Sequence, residues 1–283
     1  MSTCAIADGA REPARTEGAA AGPPLFLSRP AGQDGTGPQG NGCVTGQRLL
    51  VIDLARTAAL AGMVVFHFTY DLDIFGWIPP QTSVTGWFWH HARLVAGSFI
   101  FLAGLSLWMA HGRGIRWRAF GRRLAKIAAA AALVTVATHF ALPGLTIWYG
   151  ILHSIAVSSV VGLLFLRVPA PVTLAVAAAV AALPYLWTIP VAEGWPVWAG
   201  LSATRPATAD FEPFFPWFAP FLAGLATGRL LTRFDLWRHL ALPQTPLLRR
   251  LAWPGRHSLA VYLVHQPVLI ALVLGATWLL RQP

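Results

Sequence analysis

Seven long apolar runs dominate the sequence and limit the chain to folds that a membrane can hold. A helix needs about 20 mostly apolar residues to cross a bilayer, and seven segments reach or approach that length. They run over Leu49–Phe68, Trp87–Ala110, Leu124–Leu142, Trp148–Leu166, Val172–Ile189, Phe214–Leu231 and Ser258–Leu280. Because backbone polar groups in hydrocarbon must bond internally, the runs predict an all-α integral membrane protein, a bundle of about seven transmembrane helices.

The composition supports this class and argues against nucleic acid as a partner. Of the 283 residues, 55% are hydrophobic and 11% are charged, and the net charge is +10. A nucleic-acid-binding protein places its cations on a soluble face among aromatic side chains, whereas here they cluster beside the apolar runs. We therefore expect the lipid bilayer as a partner and no nucleic acid, and we leave a homo-oligomer open.

Residues 1–47 form a separate compositional unit. They are rich in Gly, Ala and Pro and lack apolar periodicity, which is typical of a disordered extension. Cys4 and Cys43, the two cysteines of the chain, both lie there, so neither a disulfide framework nor a thiolate metal site is expected. The sequence predicts a disordered N-terminal extension over 1–47 and one transmembrane domain over 48–283.

The Lys and Arg residues of the short loops predict the orientation, since such residues accumulate on the cytoplasmic side. The connections after the second and sixth runs are rich in them. By contrast, Tyr70–Gly86 and Pro143–Ile147 have none, and Pro190–Pro213 has only Arg205. All basic loops share one side when the N-terminus is cytoplasmic, the C-terminus is external and the number of spans is odd. Seven spans satisfy that condition.

Histidines gather along the apolar runs, where ionisable side chains usually face a bundle interior or a wet cavity. In the predicted orientation, five of the nine lie near the outer layer: His67, His90, His91, His139 and His153. His90 and His91 are adjacent and point about 100° apart on a helix, so only one of them faces a shared chamber. His265 falls near mid-membrane. Three cytoplasmic histidines are expected to be solvated, namely His111, His239 and His257.

His67 is the strongest candidate for a general base. Asp71 follows it by four residues, so on a continuing helix the two share a face and the carboxylate orients the imidazole. A solvated loop aspartate is the alternative. Histidines within spans also serve as hydrogen-bond donors between helices, an alternative that applies to His139 and His153. Histidine clusters bind zinc as well, but the sequence has neither HxxxH nor HExxH spacing, and we expect no metal.

A charged cluster stands at the cytoplasmic end of the first run, in RLLVIDLAR. Asp53 and Arg56 are three apart and face together on a helix, either as a structural ion pair or as part of an anion-binding vestibule. Such a vestibule suits a phosphate-rich cofactor, because guanidinium groups bind phosphate in a bidentate manner. The candidate cofactor-binding residues are Arg48, Asp53, Arg56, Arg122, Arg123 and Arg256. For the arginines of the loops, topology alone is also a sufficient explanation.

At the outer side, Asp210 and Glu212 immediately precede FPWFAP, in which Pro216 and Pro220 interrupt the sixth run. Broken helices at membrane depth are tolerated where they line a cavity. We therefore interpret the two acids as candidate acceptor-binding residues, with a solvated loop as the alternative. Tryptophans near the outer loops either stack on a sugar ring or anchor the chain at the interface. They are Trp148, Trp195, Trp198 and Trp217.

Five motifs in a fixed order resemble the heparan-alpha-glucosaminide N-acetyltransferase family, and more closely its bacterial branch, the DUF1624 group. They are RLLVIDLARTAALAGMVVFHFTYDL, GSFIFLAGLSL, YGILHSIAV, DFEPFFPWFAPFLAGLATG and PGRHSLAVYLVHQPVL. The resemblance runs from about Arg48 to Leu272. The opening R-x-x-x-I-D-x-x-R and the closing S-L-x-x-Y-L-x-H are also similar to the integral-membrane acyltransferase-3 group. The order and spacing of the motifs carry the resemblance.

Matched position by position, the histidines of this chain take up polar sites of that family. His67 falls at an active-site Asn, and His153 falls at a Gln. His265 matches a His of the last helix, and Asp210 matches a loop Asp. The family's own catalytic His lies in the loop after the first span, which here contains no histidine. Either the role passes to His67, His90 or His91, or the chemistry differs or is lost.

The resemblance implies a transmembrane acyltransferase of the bacterial inner (cytoplasmic) membrane. Such an enzyme takes acetyl-CoA from the cytoplasm and acetylates an amine or hydroxyl of an external glycan or amino sugar. The predicted catalytic residues are His67, Asp71, His153 and His91, and the predicted acceptor-binding residues are Asp210, Glu212 and His265. The main alternative is a small-solute or proton-coupled transporter that uses the same histidines as a relay. A non-catalytic membrane scaffold is a third option.

Overall fold

The computed structural model describes residues 49–280. The predicted disordered extension over 1–47 and the candidate cofactor residue Arg48 therefore lie outside the described residues. Within them, all regular secondary structure is helical, as predicted, and a single isolated β-bridge joins Ile189 to Ser202. The seven long helices are α1 (Leu50–Ile74), α2 (Gly86–His111), α3 (Trp117–Ala141), α4 (Ile151–Gly162), α5 (Ala170–Leu186), α6 (Phe214–Arg233) and α7 (Ser258–Leu280).

Several shorter helical segments connect the long ones. The short α-helices are Trp195–Ala199, Pro246–Leu251 and Trp253–Arg256, and the 3-10 turns are Thr82–Val84, Leu163–Leu166 and Leu236–Leu240. Five of the described helices, α1, α2, α3, α6 and α7, are long and apolar enough to cross a membrane, and two shorter apolar helices cover Ile151–Leu166 and Ala170–Leu186. The chain is thus a multi-pass membrane protein. The count of seven spans and the direction of the termini stay predictions.

Two helix boundaries differ from the sequence-based ones for identifiable reasons. α1 continues beyond Phe68 to Ile74, because the acids at its end have partners: Asp71 accepts from Gln266, and Asp73 accepts from Ser83. α4 begins at Ile151 instead of Trp148, since the preceding Gly150 is extended (φ −94°, ψ −171°). The fourth run therefore starts its helix deeper in the bundle than its apolar length predicts.

The crossing of α2 and α6 forms the centre of the bundle. A methyl group at Gly104 of α2 would overlap the carbonyl oxygen of Phe221, and one at Gly224 of α6 would overlap that of Phe101. Small residues let helix backbones approach closely in membranes, where lipid provides little hydrophobic drive for association. Around this crossing pack buried side chains of α2 and α6, including Ile100, Leu107, Phe221, Leu222 and Leu225.

α1 and α7 run parallel and are joined at three successive levels. Gly255, just before α7, donates its N–H to Thr57 at 3.0 Å. Farther along, Gln266 donates to Asp71 at 2.8 Å, and Trp77 donates to Thr277 at 2.9 Å. The first and last spans therefore point the same way, which agrees with an odd number of crossings.

Candidate active site

A cavity of about 280 Å³ opens among α1, α2, α3, α4 and α7. Three cations line it, Arg56, Arg123 and Lys126, and most of its other walls are apolar. Its remaining polar lining comes from Ser258 and Tyr262 of α7. In the predicted orientation this inner cavity lies towards the cytoplasm, so its cationic part faces the compartment that holds phosphate-rich cofactors.

A buried aspartate beside the inner cavity forms ion pairs with two arginines. Asp53 is only 2% exposed. One of its carboxylate oxygens lies 3.2 Å from Nη1 of Arg56, and the other lies 3.3 Å from Nε of Arg256. Arg56 also donates to Ser106 of α2 at 2.6 Å. The ion pair between Asp53 and Arg56 that the sequence predicts is present, and Arg256 completes it.

The predicted cofactor-binding residues divide into three groups. Arg56 and Arg123 line the inner cavity. Asp53 and Arg256 do not line it but fix Arg56 in place. Arg122 is exposed and donates to the carbonyl of Arg118 in its own helix, so the structure does not bring it to the cavity. The exposed side chain of Arg122 lies on a different face of α3 from that of Arg123, because adjacent residues on a helix point about 100° apart.

A second cavity of about 330 Å³ lies at the other end of the bundle. It is formed by α1, α2, the end of α5, the loop before α6 and the broken start of that helix. Phe215 has non-helical angles (φ −97°, ψ 128°), so the interruption predicted at FPWFAP lies at its first residues. The side chains that give this outer cavity its chemistry include Trp89, Arg93, Arg205, Glu212 and Trp217.

Asp210 lines neither cavity but connects a residue of one to a residue of the other. Its Oδ2 accepts the backbone N–H of Ile151 at 2.9 Å, and Ile151 lines the inner cavity. Glu212, two residues later, lines the outer cavity. A Cβ at Gly150 would overlap the Asp210 carboxylate, so only glycine lets this carboxylate approach the start of α4. A short peptide segment therefore links both cavities.

The two acids of this segment have different protonation behaviour. Burial raises the pKa of Asp210 from 3.8 to about 6, against the opposing effect of its hydrogen bond from Ile151. Burial, and then the charge of Asp210, raise the pKa of Glu212 well above its usual value, although Arg93 and Arg205 oppose the shift. The pKa of Asp210 thus lies near 6 and that of Glu212 is raised well above its usual value, and such perturbed neighbouring carboxyls are typical of acid–base sites.

The raised pKa of Asp210 predicts a pH-dependent stability. Because its folded-state pKa exceeds its unfolded value, the stability that the neutral carboxyl contributes is present below pH 3.8 and is lost as pH rises through about 6. Asp210→Asn keeps an acceptor for Ile151 and carries no charge. We expect the variant and the wild type to melt alike near pH 4, and the variant to melt higher at pH 7.5.

The measurement is a thermal melt of both proteins in detergent across that pH range. Glu193→Gln is the matched control, because Glu193 is exposed in the same outer loop and its replacement leaves the pH profile of the wild type unchanged. A melting-temperature difference between Asp210→Asn and wild type that stays constant with pH would contradict the prediction.

His67 and His265 lie together between α1 and α7. Their ring centroids are 5.0 Å apart. The predicted hydrogen bond from His67 to Asp71 is not formed among the described residues; Oδ1 of Asp71 accepts from Gln266. Four buried polar atoms of this cluster have no hydrogen-bond partner: Nδ1 of His67, Oδ2 of Asp71, Nε2 of His265 and Oε1 of Gln266.

The hydrogen bonds of His265 fix its tautomer. Its Nδ1 lies 2.5 Å from the carbonyl oxygen of Tyr262, and since a carbonyl only accepts, Nδ1 carries the hydrogen. Nε2 of the neutral ring is then a free lone pair in a buried site. The ring of Tyr262, which lines the inner cavity, lies 5.7 Å from that of His265. The rings of Tyr262, His265 and His67 therefore lie next to one another in that order. His67 and His265 themselves line neither cavity.

The remaining predicted histidines are engaged elsewhere. His91 bonds through Nε2 to the carbonyl of Gly62 at 2.8 Å, which ties α2 to α1. His153 accepts the N–H of Gly150 at Nδ1, and its Nε2 lies 3.3 Å from Thr135 Oγ1. With both nitrogens bonded, His153 fixes the start of α4 and offers no free lone pair. The described histidines therefore form separate groups and not one chamber of five.

The exposure of three further histidines can be compared with the sequence prediction. Of the adjacent pair, His91 packs inward and His90 is exposed, as their angular separation predicts. His111 was expected to be solvated, which is wrong: it is 3% exposed, and its Nδ1 accepts the N–H of Arg116. The turn after α2 folds back over the ring and buries it.

Sequence reasoning missed four residues of the site. Lys126 was seen only as a topology signal, and Arg93 and Trp89 were not singled out, yet they line the inner and outer cavities respectively. Tyr262 lies in the motif SLAVYLVH, where the aromatic ring three residues before His265 was the available signal. No described group of three or more His, Cys, Asp or Glu side chains is arranged to hold a metal ion.

Comparison with known proteins places this arrangement in a family. Residues 48–267 match the model of the heparan-alpha-glucosaminide N-acetyltransferase catalytic domain. That range includes both cavities, the Asp210 segment and the histidine pair. No curated protein and no solved structure matches the chain. Because the match covers most of the sequence, the chain belongs to the heparan-alpha-glucosaminide N-acetyltransferase family of membrane acetyltransferases.

Proposed function

We propose that the protein transfers an acetyl group from acetyl-CoA in the inner cavity to an amine or hydroxyl of a sugar in the outer cavity. The observation that supports this best is the pair of cavities linked by Asp210. Ile151 of the inner cavity bonds to Asp210, and Glu212 of the outer cavity follows two residues later. A donor and an acceptor held in these cavities approach each other across one short segment of chain.

The inner cavity suits the donor. Arg56, Arg123 and Lys126 supply three cations for phosphate groups. Its apolar walls, among them Leu152 and Ile155, suit the pantetheine arm. When bound, acetyl-CoA supplies an activated thioester carbonyl. In the predicted topology the cations lie on the cytoplasmic side, where the donor is made.

The outer cavity suits a sugar acceptor. Trp89 and Trp217 present aromatic rings, and the carboxyl of Glu212, whose pKa is raised well above its usual value, accepts hydrogen bonds and donates one when protonated. Ser202 and Thr204 add hydroxyl groups to the same lining. The acceptor is proposed to be a glycan or amino sugar outside the bacterial inner membrane, with seven spans and a cytoplasmic N-terminus.

The reaction needs one proton removed and one delivered. The amine or hydroxyl of the acceptor loses a proton as its nitrogen or oxygen bonds to the thioester carbonyl. The carbon–sulfur bond then breaks, and the departing thiolate of coenzyme A takes up a proton. Asp210 and Glu212 bind and orient the acceptor between the cavities. A general base that removes the proton of the acceptor contributes about 10²–10⁴-fold to the rate.

His67 is proposed as the general base, with His265 beside it. Both present buried nitrogens without hydrogen-bond partners, at Nδ1 and Nε2 respectively. The ring of Tyr262 connects His265 to the inner cavity. Buried polar atoms without partners are the groups that ordered water bridges in proteins. We propose that such water carries the proton of the acceptor to the unpartnered nitrogens of this pair, since neither histidine lines either cavity.

Binding of the donor tests this proposal directly. We expect acetyl-CoA to raise the melting temperature of the purified protein, because a ligand at one hundred times its Kd stabilises the folded state by about 2.7 kcal/mol. The double variant Arg123→Ala and Lys126→Ala is expected to lose most of that shift, since it removes two of the three cavity cations.

Arg113→Ala is the matched control. Arg113 is an exposed arginine of the neighbouring loop that lines neither cavity, so its loss leaves the shift unchanged. A wild-type protein that shows no acetyl-CoA-dependent shift would refute the acetyltransferase proposal. Solute uptake into proteoliposomes without any acyl donor would then favour the transporter.

A further inference from the structure

We propose that the outer cavity binds its acceptor through an anionic group, a carboxylate or a phosphate ester, held by the guanidinium of Arg93. This inference rests on the proposed function, because it names the chemical class of the acceptor. It assigns a binding role to a residue of α2 that lies about two turns from the start of the helix and lines the outer cavity.

The guanidinium of Arg93 lies over two indole rings. Its Cζ lies 4.8 Å from the ring centroid of Trp89 and 5.3 Å from that of Trp217. Both distances are within the range of cation–π attraction. Trp217 is 7% exposed, so one of these rings is fixed in the core. The arrangement orders the arginine side chain before any ligand arrives.

Contact with the two indole rings supplies the guanidinium with no oxygen acceptor. The five N–H donors of arginine lie in the plane of the group, in a fork that matches carboxylate and phosphate oxygens. Among the described residues, the Arg93 side chain donates no hydrogen bond and forms no ion pair within 4.0 Å. Its in-plane donors are therefore available to a ligand in the cavity.

The charge balance of the cavity also favours an anion. Arg205 lines the same cavity and adds a second guanidinium. The acid that faces them is Glu212, whose pKa burial raises well above its usual value despite the two arginines. Two guanidinium groups face this single acid, so the lining carries a net positive charge even when Glu212 is ionised. An anionic group supplies the missing countercharge in a partly desolvated site, where such pairing is stronger than in water.

A pair of sugars that differ by one carboxylate tests this assignment. We expect methyl glucuronide to bind the full-length protein in detergent about 10- to 100-fold more tightly than methyl glucoside, as measured by isothermal titration calorimetry. Arg93→Ala is expected to bring the two affinities together. Arg93→Lys is expected to lose most of the preference, because an ammonium cannot donate in a bidentate manner.

Controls separate this inference from the proposed function and from misfolding. Arg113→Ala keeps the preference for the glucuronide, and an intact acetyl-CoA shift in Arg93→Ala shows that the inner cavity is folded. Where Arg93→Ala does not fold, Arg93→Lys decides by the same comparison. Equal affinities in the wild type, or a preference that survives in the Arg93 variants, overturn the inference. If the wild type shows no acetyl-CoA-dependent thermal shift, the acetyltransferase proposal is refuted. The sugar comparison then still decides whether the outer cavity binds an anionic group.

A lipid headgroup is the other source of an anion near this cavity. The titrations are therefore repeated in nanodiscs of phosphatidylcholine and of phosphatidylglycerol. An unchanged preference for the glucuronide in both lipids supports a sugar-borne anion. A preference that disappears only in phosphatidylglycerol shows that a headgroup fills the site and overturns the assignment to the acceptor.

Discussion

Replacing His67 or His265 by alanine is expected to lower kcat by about 10²–10⁴-fold, the usual contribution of a general base. The two rings are 5.0 Å apart, and each presents a buried nitrogen without a partner. Because neither ring lines the inner cavity, we expect the acetyl-CoA-dependent thermal shift to survive in both variants. The double variant is expected to lose little more than either single one, since residues that act as a unit are not additive.

His90→Ala is the matched control for these variants. His90 is an exposed histidine at the start of α2, and its ring meets that of Trp89 edge to face. We expect it to keep nearly all activity. Full turnover in His67→Ala, measured as coenzyme A release under saturating acceptor, would remove His67 from the mechanism. The same result in His265→Ala would leave His67 to act alone.

Gly104→Ala is expected to destabilise the protein by about 3 kcal/mol, the upper end of the usual cost of overpacking. The added methyl group would overlap the carbonyl oxygen of Phe221, and a backbone atom cannot rotate away as a side chain does. The strain falls on the crossing of α2 and α6, from which the rest of the bundle is built. Loss of folded protein in detergent, followed by size-exclusion chromatography and thermal melting, measures the effect.

Gly97→Ala is the control from the same helix. A methyl group there would lie 3.7 Å from the ring of Trp217, an ordinary van der Waals distance. Alanine also favours the helix over glycine by about 1 kcal/mol. We therefore expect Gly97→Ala to melt at or above the wild-type temperature. A Gly104→Ala protein that melts like the wild type would show that the crossing is looser than its backbone contacts indicate.

The helices follow from the apolar runs, but their ends depend on partners that are distant in sequence. The run that begins at Leu49 predicts α1, yet the last turn looks like a loop because it contains Asp71 and Asp73. Their partners are Gln266, 195 residues later, and Ser83, across a turn. No local pattern contains that information, so the sequence predicts a shorter helix than the one formed.

The site was predictable where its residues are close on one helix and not where helices meet. Asp53 and Arg56 share a helical face by spacing alone, and their ion pair is present. His67 was paired with Asp71 by the same rule, but its neighbour is His265 of the last helix. Tyr262 and Arg93 acquire their places only when α7 and α2 pack, so their roles follow from tertiary structure.

The parallel packing of α1 and α7 has a consequence for how the protein is made. α1 enters the membrane first and carries Asp71 with it, whereas Gln266 follows 195 residues later and Arg256 reaches Asp53 only after 203 residues. A carboxyl group in hydrocarbon is costly until a partner arrives. α1 is therefore synthesised before the other long helices, but its buried acids gain these partners only when the end of the chain has been made. If synthesis stops before the final helix, Asp71 stays in the first span without the hydrogen bond from Gln266. We expect membrane quality control to recognise such a chain.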